Sequence, residues 1–329
     1  MRFAIDAMGG DHAPQALLEG TLTAAAAMTA DEFLLVAMPE TIQAIQALPA
    51  NVQTRPCGSV MGMDESVESL VQKKDSSIWI ATDLVKKGEA DAVISAGSTA
   101  AQMAAATLLL GRLKGVTRPA IATVLPTLSG ARLLLDVGAN ADCTPEMLLQ
   151  FAEMGAVYAE QLQGVSKPRI ALLSNGTEAH KGNKLTQAAY ALIKESGLHF
   201  IGNREGRDIL FGDYDVIVCD GMSGNIAIKS IEGTVAALMS MIKHELTANF
   251  KSKLGAALIR DGMYRVKAAL DYQEYGGAPL LGIKGVSIVC HGSSEARAIT
   301  NAIRLAERCV KSEFVEKTAA AVRTVTAEG

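Results

Sequence analysis

The chain begins with the run Arg2-Phe3-Ala4-Ile5-Asp6-Ala7-Met8-Gly9-Gly10-Asp11-His12-Ala13-Pro14. Its first four residues are typical of a buried strand, Gly9-Gly10 indicates a tight turn, and a helix is predicted from Gln15 to Met28. Such a unit can hold an anion with backbone N–H groups and the helix N-terminus. Asp6 and Asp11 flank the glycines, so they could instead position a basic group or a substrate hydroxyl. The stretch equally fits a plain turn with Asp11 as the helix cap, and the local sequence leaves these interpretations open.

Composition and charge narrow the class of protein. The 329 residues are 49% hydrophobic, which allows a large core. The net charge is −4, so the chain has no overall excess of positive charge for binding nucleic acid. The first strand starts at once and no apolar run reaches about 18 residues, so we expect no signal peptide and no transmembrane helix. The five cysteines and five histidines show no metal spacing. We therefore expect a cytoplasmic protein with free thiols, no metal and no cofactor.

Strand-like and helical runs alternate along almost the whole chain. This alternation predicts an α/β fold in which residues 1–329 form a single domain, with a mainly parallel sheet covered by helices on both faces. The predicted helices include Glu40–Ala47, Ala100–Leu113, Pro145–Gln163 and Ile226–Asn249, and the tail from Thr318 is expected to fray.

Polar, glycine-rich stretches follow six of the predicted strands. They are Asp6–Asp11, Ala96–Thr99, Asp136–Asp142, Ser174–Asn183, Asp220–Asn225 and His291–Ser294. Ligands of parallel sheets bind beyond the carboxyl ends of the strands. We therefore expect these six loops to form one rim around a single cleft.

Lys181 is the first candidate ligand for phosphate. With Gly176, Gly182 and Asn183 it could bind phosphate oxygens through an ammonium group, backbone N–H groups and an amide. A lysine at a helix N-terminus opposes the helix dipole, which favours a bound anion over an ordinary surface lysine. The stretch Asp220–Asn225 is similar, although Asn225 there could equally be a plain N-cap.

No protein nucleophile stands out in the sequence. Cys290 precedes His291, but neighbouring residues of a strand point to opposite faces, so Cys290 is expected in the core. No G-x-S-x-G elbow, dinucleotide fingerprint or P-loop occurs. The predicted cleft is thus rich in groups that bind anions and lacks an obvious nucleophile.

One segment departs from the alternation of strands and helices. Phe250–Asp271 is predicted to be an amphipathic helix with Leu254 and Leu258 on its apolar face, within a protrusion at about 240–275. Before Asp271 the segment has one acidic residue, Asp261, and five basic residues, namely Lys251, Lys253, Arg260, Arg265 and Lys267. Such a helix can lie on an anionic membrane or bind an acidic protein, and it also fits an ordinary solvated helix.

A series of stretches matches one known family in order and over nearly the whole chain. They are Ile5–Asp11, Gly62–Asp64, Lys73–Ser77, Ala122–Thr127, Leu135–Asn140, Lys181–Asn183, Gly202-Asn203, Glu205–Ile209, Val218–Gly221, Glu274–Gly282 and His291–Ser294. In these stretches the chain resembles the PlsX family of phosphate acyltransferases.

The resemblance implies a Rossmann-like fold related to isopropylmalate dehydrogenases and phosphotransacetylases. It implies transfer of a fatty acyl group from acyl-carrier protein to inorganic phosphate, so that phosphate itself is the nucleophile. The acyl phosphate would serve glycerophospholipid synthesis through a glycerol-3-phosphate acyltransferase. A homodimer with peripheral membrane attachment is also implied.

On this basis Lys181, Asn183 and Asn225 are predicted to be the catalytic ligands of phosphate and the oxyanion. The residues predicted to shape the phosphate pocket are Asp6, Gly9, Gly10, Asp11, Gly97, Ser98, Gly176, Asp220, Gly221 and His291. The basic and apolar side chains of Phe250–Asp271 are predicted to meet carrier protein, membrane or both.

Three stretches depart from the usual family pattern. Gly97–Ala100 replaces Gly-Asn-Thr-Gly, Ser174–Glu178 replaces Asn-Ile-Gly-Glu-Glu, and Met222-Ser223 replaces Phe-Val. We interpret these as changes in acyl-chain fit or loop shape. Two alternatives stay open: a phosphotransacetylase-like enzyme that uses coenzyme A thioesters, and a non-catalytic, membrane-docked organiser of lipid synthesis.

Overall fold

The computed structural model describes residues 1–45, 47–269 and 275–322. The strands are β1 (Arg2–Asp6), β2 (Glu32–Ala37), β3 (Val52–Pro56), β4 (Ala92–Ser95), β5 (Ala120–Thr127), β6 (Gly130–Leu135), β7 (Ile170–Ser174), β8 (Phe200–Glu205), β9 (Val216–Val218), β10 (Ala278–Leu281) and β11 (Val286–Val289). The helices are α1 (Gln15–Ala27), α2 (Pro39–Ala44), α3 (Val67–Gln72), α4 (Ser77–Lys86), α5 (Thr99–Ala105), α6 (Pro145–Gln163), α7 (Lys184–Glu195), α8 (Gly221–Thr247), α9 (Phe250–Ala269), α10 (Ala296–Lys311) and α11 (Phe314–Ala321).

The single sheet consists of two parallel blocks that run in opposite directions. Its strand order is β3-β2-β1-β4-β11-β10-β5-β6-β9-β7-β8. The first block, β3-β2-β1-β4-β11, is parallel throughout, and so is the second block, β6-β9-β7-β8. Between them β10 pairs antiparallel with β11 and β5, and β5 pairs antiparallel with β6. The predicted mainly parallel sheet is confirmed, but its direction reverses between the blocks.

The carboxyl ends of the two blocks meet near the middle of the sheet. Through the pairings of β10 and β5, Val289 at the end of β11 lies at nearly the same height as Leu135 at the end of β6. Because the blocks run in opposite directions, their loops leave the sheet in opposite directions. The six loops form two groups of three, one from each block, and the expected single rim stays a prediction.

Helices cover both faces of the sheet, as the alternation predicts. Along β1, Phe3 and Ile5 pack in a core cluster with Ile299 of α10, whereas Ala4 packs in a second cluster with Leu70 of α3. Alternate residues of a strand point to opposite faces, so one short strand contributes to both cores.

Several predicted boundaries differ from the structure. The helix expected over Ala100–Leu113 is α5 followed by a π-helical turn, Ala106–Leu110, which ends at Gly111 with φ of 82°. The helix expected over 40–47 ends at Ala44, and α11 extends into the tail that was expected to fray. The sequence pattern does not indicate β10, since four residues that include Pro279 are a weak strand signal.

Helices α8 and α9 pack against each other and leave most of their surface exposed. Within α8 only Gly221 and Gly224 are buried. Among the described helices, α8 alone is long and apolar enough to cross a membrane by length and composition, whereas the sequence pattern predicts no transmembrane helix. The helix predicted over Phe250–Asp271 is confirmed as α9, while its last two residues lie outside the described residues.

Asp215 links three strands of the second block, β6, β7 and β9, through ion pairs. Its carboxylate accepts hydrogen bonds from the backbone N and the guanidinium of Arg169 at 2.8–3.1 Å, and Arg132 Nε lies 3.8 Å away. Burial alone would raise the pKa of Asp215, but the Arg169 hydrogen bonds and both positive charges hold that pKa below its ordinary value.

We expect Asp215→Asn to lower the free energy of unfolding by about 1–3 kcal/mol at neutral pH. The folded pKa lies below the unfolded one, so this stabilisation is present above an unfolded pKa of about 3.9 and is lost as the pH falls through the folded pKa. Urea unfolding over a pH series should show the gap between wild type and variant shrinking in acid. Asp213→Asn is the control, because Asp213 is exposed and pairs with Arg204. If the difference in free energy of unfolding between wild type and Asp215→Asn did not depend on pH, the stabilising role of the Asp215 charge would be contradicted.

Candidate active site

The loops after β1, β4 and β11 approach one another at glycines. A Cβ on Gly9 would lie 2.7 Å from both Asp6 Oδ2 and Gly97 N. Gly10 has φ of 104°, and a Cβ there would lie 2.9 Å from Ala96 O and 3.0 Å from Gly292 O. Side chains cannot enter these gaps, so the predicted Gly9, Gly10 and Gly97 are needed for the close approach of the backbones.

Asp6 lies beneath this junction and holds it together. It is 2% exposed, and Ser95 Oγ donates to its Oδ2 at 2.6 Å. Ser95 Oγ in turn accepts from Gly97 N at 3.0 Å. Burial raises the pKa of Asp6, while hydrogen bonds from Ser77, Ser95 and the Met8 backbone oppose that rise. Asp6 therefore supports the loops from below; its serine partners were missed, and the available signal was a polar residue ending a buried strand.

The other predicted residues of this first group lie around the junction. Asp11 is exposed, and its N–H donates to Gly292 O at 2.8 Å, so it does not cap α1 as the turn interpretation supposed. Ser98 is the N-cap of α5 and accepts from Ala101 N. His291 is exposed, and its Nδ1 lies 2.8 Å from Ser293 Oγ and accepts from Ser293 N at 3.2 Å. Because Nδ1 accepts the hydrogen bond from Ser293 N, the proton of the neutral imidazole lies on Nε2.

The second group begins with Asp136, directly after β6. Its carboxylate accepts from the backbone N–H groups of Ile121, Gly138, Ala139 and Asn140 and from the Asn140 amide, at 2.8–3.3 Å. Burial raises the pKa of Asp136, and these donors oppose the rise. The sequence pattern predicts this loop as part of the rim but does not distinguish Asp136, although an aspartate after three leucines was a visible signal.

The first turn of α8 packs against the Asp136 loop. A Cβ on Gly224 would lie 1.9 Å from Asp136 O, and one on Gly221 would lie 2.6 Å from Asn140 O. Asp220 is the N-cap and accepts from Ser223 N at 2.8 Å, so the alternative that Asn225 caps the helix is wrong. Asn225 lies one turn into α8, and its side-chain amide is beside Gly138.

The third set of predicted residues follows β7. The Lys181 side chain crosses Gly176, where a Cβ would lie 2.7 Å from Lys181 Cγ, and the residue is exposed. Gly182 N donates to Asn175 Oδ1 at 2.9 Å. Asn183 is the N-cap of α7, and its Oδ1 accepts from Thr186 N at 2.9 Å, which leaves its amide NH₂ as the group that could face a ligand.

Two buried polar atoms lie near the Lys181 loop. Within the described residues, Ser174 Oγ and Asn203 Oδ1 have no hydrogen-bond partner. Ser174 Oγ would lie 3.0 Å from a Cβ on Gly182, and Asn203 Nδ2 donates to Glu178 O at 2.8 Å. Buried polar groups without partners are uncommon, and each carries an uncompensated desolvation cost.

Comparison with known proteins gives a close match over the whole chain. A family model described as "Fatty acid synthesis protein" matches residues 1–317. The phosphate acyltransferase of Desulfitobacterium hafniense is 52% identical over 322 residues, 96% of each chain, and that of Heliobacterium modesticaldum is 52% identical over 321 residues, again 96% of each. This chain belongs to the phosphate acyltransferase family.

The fold of the chain is shared with phosphotransacylases. A phosphotransacetylase from Streptococcus pyogenes superposes with a TM-score of 0.59 at 17% identity, covering 96% of this chain and 94% of that one. A branched-chain phosphotransacylase from Enterococcus faecalis gives 0.59 at 16% identity, with coverage of 94% and 99%. The fold implied by the sequence resemblance is therefore confirmed.

The thiols of the chain are poor nucleophiles. Four of the five cysteines are buried and Cys143 is half-buried. Burial raises the pKa to about 11 at Cys57, to about 12 at Cys143, Cys290 and Cys309, and well above its ordinary value at Cys219. A thiol attacks as the thiolate, so none of them is prepared to form an acyl-enzyme. The described residues also contain no group of three or more His, Cys, Asp or Glu that could hold a metal ion.

We expect each of the five single Cys→Ala variants to form acyl phosphate at a rate within about tenfold of the wild-type rate, because no covalent cysteine intermediate forms. Initial rates of acyl phosphate formation measure this for the five single variants. A loss of more than about a hundredfold at any one of them, in a folded variant, would show that its thiol takes part in the chemistry.

Proposed function

We propose that this phosphate acyltransferase transfers a fatty acyl group from acyl-carrier protein to inorganic phosphate by direct attack. Family membership supports the reaction class, and the protonated thiols support an attack without an acyl-enzyme. The acyl phosphate would pass to a glycerol-3-phosphate acyltransferase for glycerophospholipid synthesis. The proposal depends chiefly on the loop that holds the start of α8. Five N–H donors fix the Asp136 carboxylate, and Gly224 in the first turn of α8 packs against Asp136 O. No thiol is activated as an alternative nucleophile.

In the proposed step a phosphate oxygen attacks the thioester carbonyl carbon. The O–C bond forms, an oxyanion develops, the C–S bond then breaks, and the carrier sulfur leaves as a thiolate that takes up a proton. The protein needs only to align phosphate with the thioester and to stabilise the developing charge. Lys181 and the Asn183 amide are proposed to bind phosphate, and the Asn225 amide to donate to the oxyanion.

The Lys181 loop has two properties of a phosphate site. Lys181 precedes Asn183, the N-cap of α7, by two residues, and free N–H groups and the helix dipole at that end of the helix favour an anion. The unpartnered Ser174 hydroxyl lies behind Gly182. A bound phosphate that hydrogen-bonds these groups would recover the free energy that their burial costs.

A coenzyme A thioester is the second candidate donor, because the structural neighbours include phosphotransacetylases. The two donors are separated by supplying the same acyl group on each carrier at one phosphate concentration. We expect kcat/KM at least about tenfold higher with the carrier protein, since it adds a protein interface to the thioester. Equal rates, or a preference for coenzyme A, would favour the second candidate.

The α8–α9 pair is proposed to be the surface that meets carrier protein or membrane in a cytoplasmic, peripherally attached homodimer. Leu254 and Leu258 are 59% and 83% exposed. The basic residues with described exposure are solvent-facing as well, namely Lys251, Lys253, Arg260 and Arg265; the Lys267 side chain lies outside the described residues. Co-sedimentation with anionic and neutral vesicles tests this, with salt-sensitive binding to the anionic vesicles expected.

A further inference from the structure

Two side-chain carboxamides hold the loop that carries Lys181. This loop joins β7 to α7 and belongs to neither a helix nor a strand, so turns and side chains must satisfy its backbone groups. Gln187 lies in the first turn of α7, and Asn203 lies on β8, which pairs with β7. We call these two side chains the carboxamide clamp.

Gln187 binds the loop on both sides of Lys181. Its Nε2 donates to His180 O at 2.7 Å and to Gly182 O at 3.1 Å. An amide NH₂ carries two protons, so one side chain can serve both carbonyls. The residues directly before and after Lys181 are therefore tied to the same point on α7.

Asn203 binds the loop from the sheet. Its Nδ2 donates to Glu178 O at 2.8 Å, and the same oxygen accepts from Lys181 N at 3.0 Å. Asn203 is 1% exposed, and its Oδ1 has no hydrogen-bond partner among the described residues. An apolar side chain of similar shape would avoid the desolvation cost of that oxygen. The bond to Glu178 O is thus what an asparagine contributes at this buried position.

These bonds leave the Lys181 side chain little freedom at its base. The peptide group before its Cα is held through His180 O and Lys181 N, and the one after it through Gly182 N, which donates to Asn175 Oδ1 at 2.9 Å. A Cβ on Gly176 would lie 2.7 Å from Lys181 Cγ and 3.1 Å from its Cδ. The aliphatic stem thus rests on the Gly176 backbone, and a stem already directed loses less entropy when a ligand binds.

We propose that Gln187 and Asn203 are positioning residues that direct the Lys181 ammonium group towards phosphate. The inference rests on the proposed function, since it needs Lys181 to bind phosphate. Each carboxamide acts through the loop backbone and not by contact with the substrate. Displacement of a binding group by about 1 Å can cost up to about a hundredfold in rate, so a residue of this kind affects catalysis from a distance.

The test is a double-mutant cycle read from phosphate kinetics. Gln187→Met keeps the length and the helix propensity of the side chain and removes its amide donors. We expect it to lower kcat/KM for phosphate about tenfold, mainly through a higher KM for phosphate, while KM for acyl-carrier protein changes less than about twofold. In the Lys181→Ala background the same substitution should cost less than about twofold, because no ammonium group is left to direct.

Asn203→Leu tests the buried half of the clamp in the same cycle, with the same pattern expected. Leucine removes the donor together with the unpartnered Oδ1, and circular dichroism checks that the variant is folded. If it is not, Gln187→Met decides the proposal, since Gln187 is exposed. Gln161→Met is the matched control: it removes a helical glutamine of α6 that accepts from Lys317 Nζ at 2.7 Å, and it should leave kcat/KM for phosphate within about twofold of the wild type.

An equal cost of Gln187→Met in the wild-type and Lys181→Ala backgrounds would overturn the proposal, because the glutamine would then act independently of Lys181. Wild-type kcat/KM for phosphate in Gln187→Met would overturn it as well, and would leave the proposed function standing. If Lys181→Ala itself leaves kcat/KM for phosphate unchanged, or if the wild type forms no acyl phosphate, the proposed function fails and the inference falls with it.

Discussion

Lys181→Ala is expected to lower kcat/KM for inorganic phosphate by about 100- to 1,000-fold. The ammonium group is proposed to neutralise phosphate in the ground state and the charge that grows on it during attack on the thioester. The side chain lies over Gly176 on an exposed loop, so its removal should leave the fold intact. The kcat/KM for phosphate is obtained from initial rates measured over a range of phosphate concentrations at saturating acyl-carrier protein.

Lys184→Ala is the matched control for this variant. Lys184 is exposed in the first turn of α7, three residues after Lys181, but it is outside the predicted phosphate loop. It should retain the wild-type dependence on phosphate. A similar loss in both variants would point to general electrostatics of the helix start, and no loss at Lys181 would remove it from the phosphate site.

Gly224→Ala is expected to lower the free energy of unfolding by about 3–5 kcal/mol, at the upper end for single substitutions. The added Cβ would lie 1.9 Å from Asp136 O and 3.0 Å from Cys219 Sγ. Both contacts are buried, so the start of α8 must move away from the Asp136 loop. Because Asn225 follows directly, activity should fall with stability. Urea unfolding followed by circular dichroism measures the effect.

Gly233→Ala provides the control within the same helix. A Cβ there would have nothing within 4 Å. Alanine at this exposed helical position is expected to raise stability by about 0.5–1 kcal/mol, since glycine is the poorer helix former. If both variants shifted unfolding in the same direction and by a similar amount, the close packing of Gly224 on Asp136 would not be a determinant of the fold.

Most individual strands and helices could be predicted because their patterns are local. The strands β1, β4 and β6 are short apolar runs ended by polar residues, and α6 carries both Thr144 as its N-cap and Pro145 in its first turn. The direction of the second block could not be predicted in this way. It depends on three successive antiparallel pairings, β11–β10, β10–β5 and β5–β6. Two of them involve β10, in which Pro279 pairs with Ile288 inside the sheet, where proline is normally disfavoured.

The candidate site was predictable as a set of loops but not as a set of roles. Glycines such as Gly9 and Gly224 stand out in the sequence, yet only the structure shows which backbone each one meets. Asp6 and Asp220 looked like ligands, whereas the structure makes Asp6 a buried support and Asp220 a helix cap. An aspartate offers the same carboxylate in each role, so its sequence context could not separate them.

The most direct test of the mechanism is a single-turnover measurement of carrier thiol released from long-chain acyl-carrier protein, with enzyme in excess. Direct attack predicts release only when inorganic phosphate is present, together with one equivalent of acyl phosphate for each thiol. Release of thiol in the absence of phosphate, with the acyl group retained on the protein, would establish an acyl-enzyme and contradict the account.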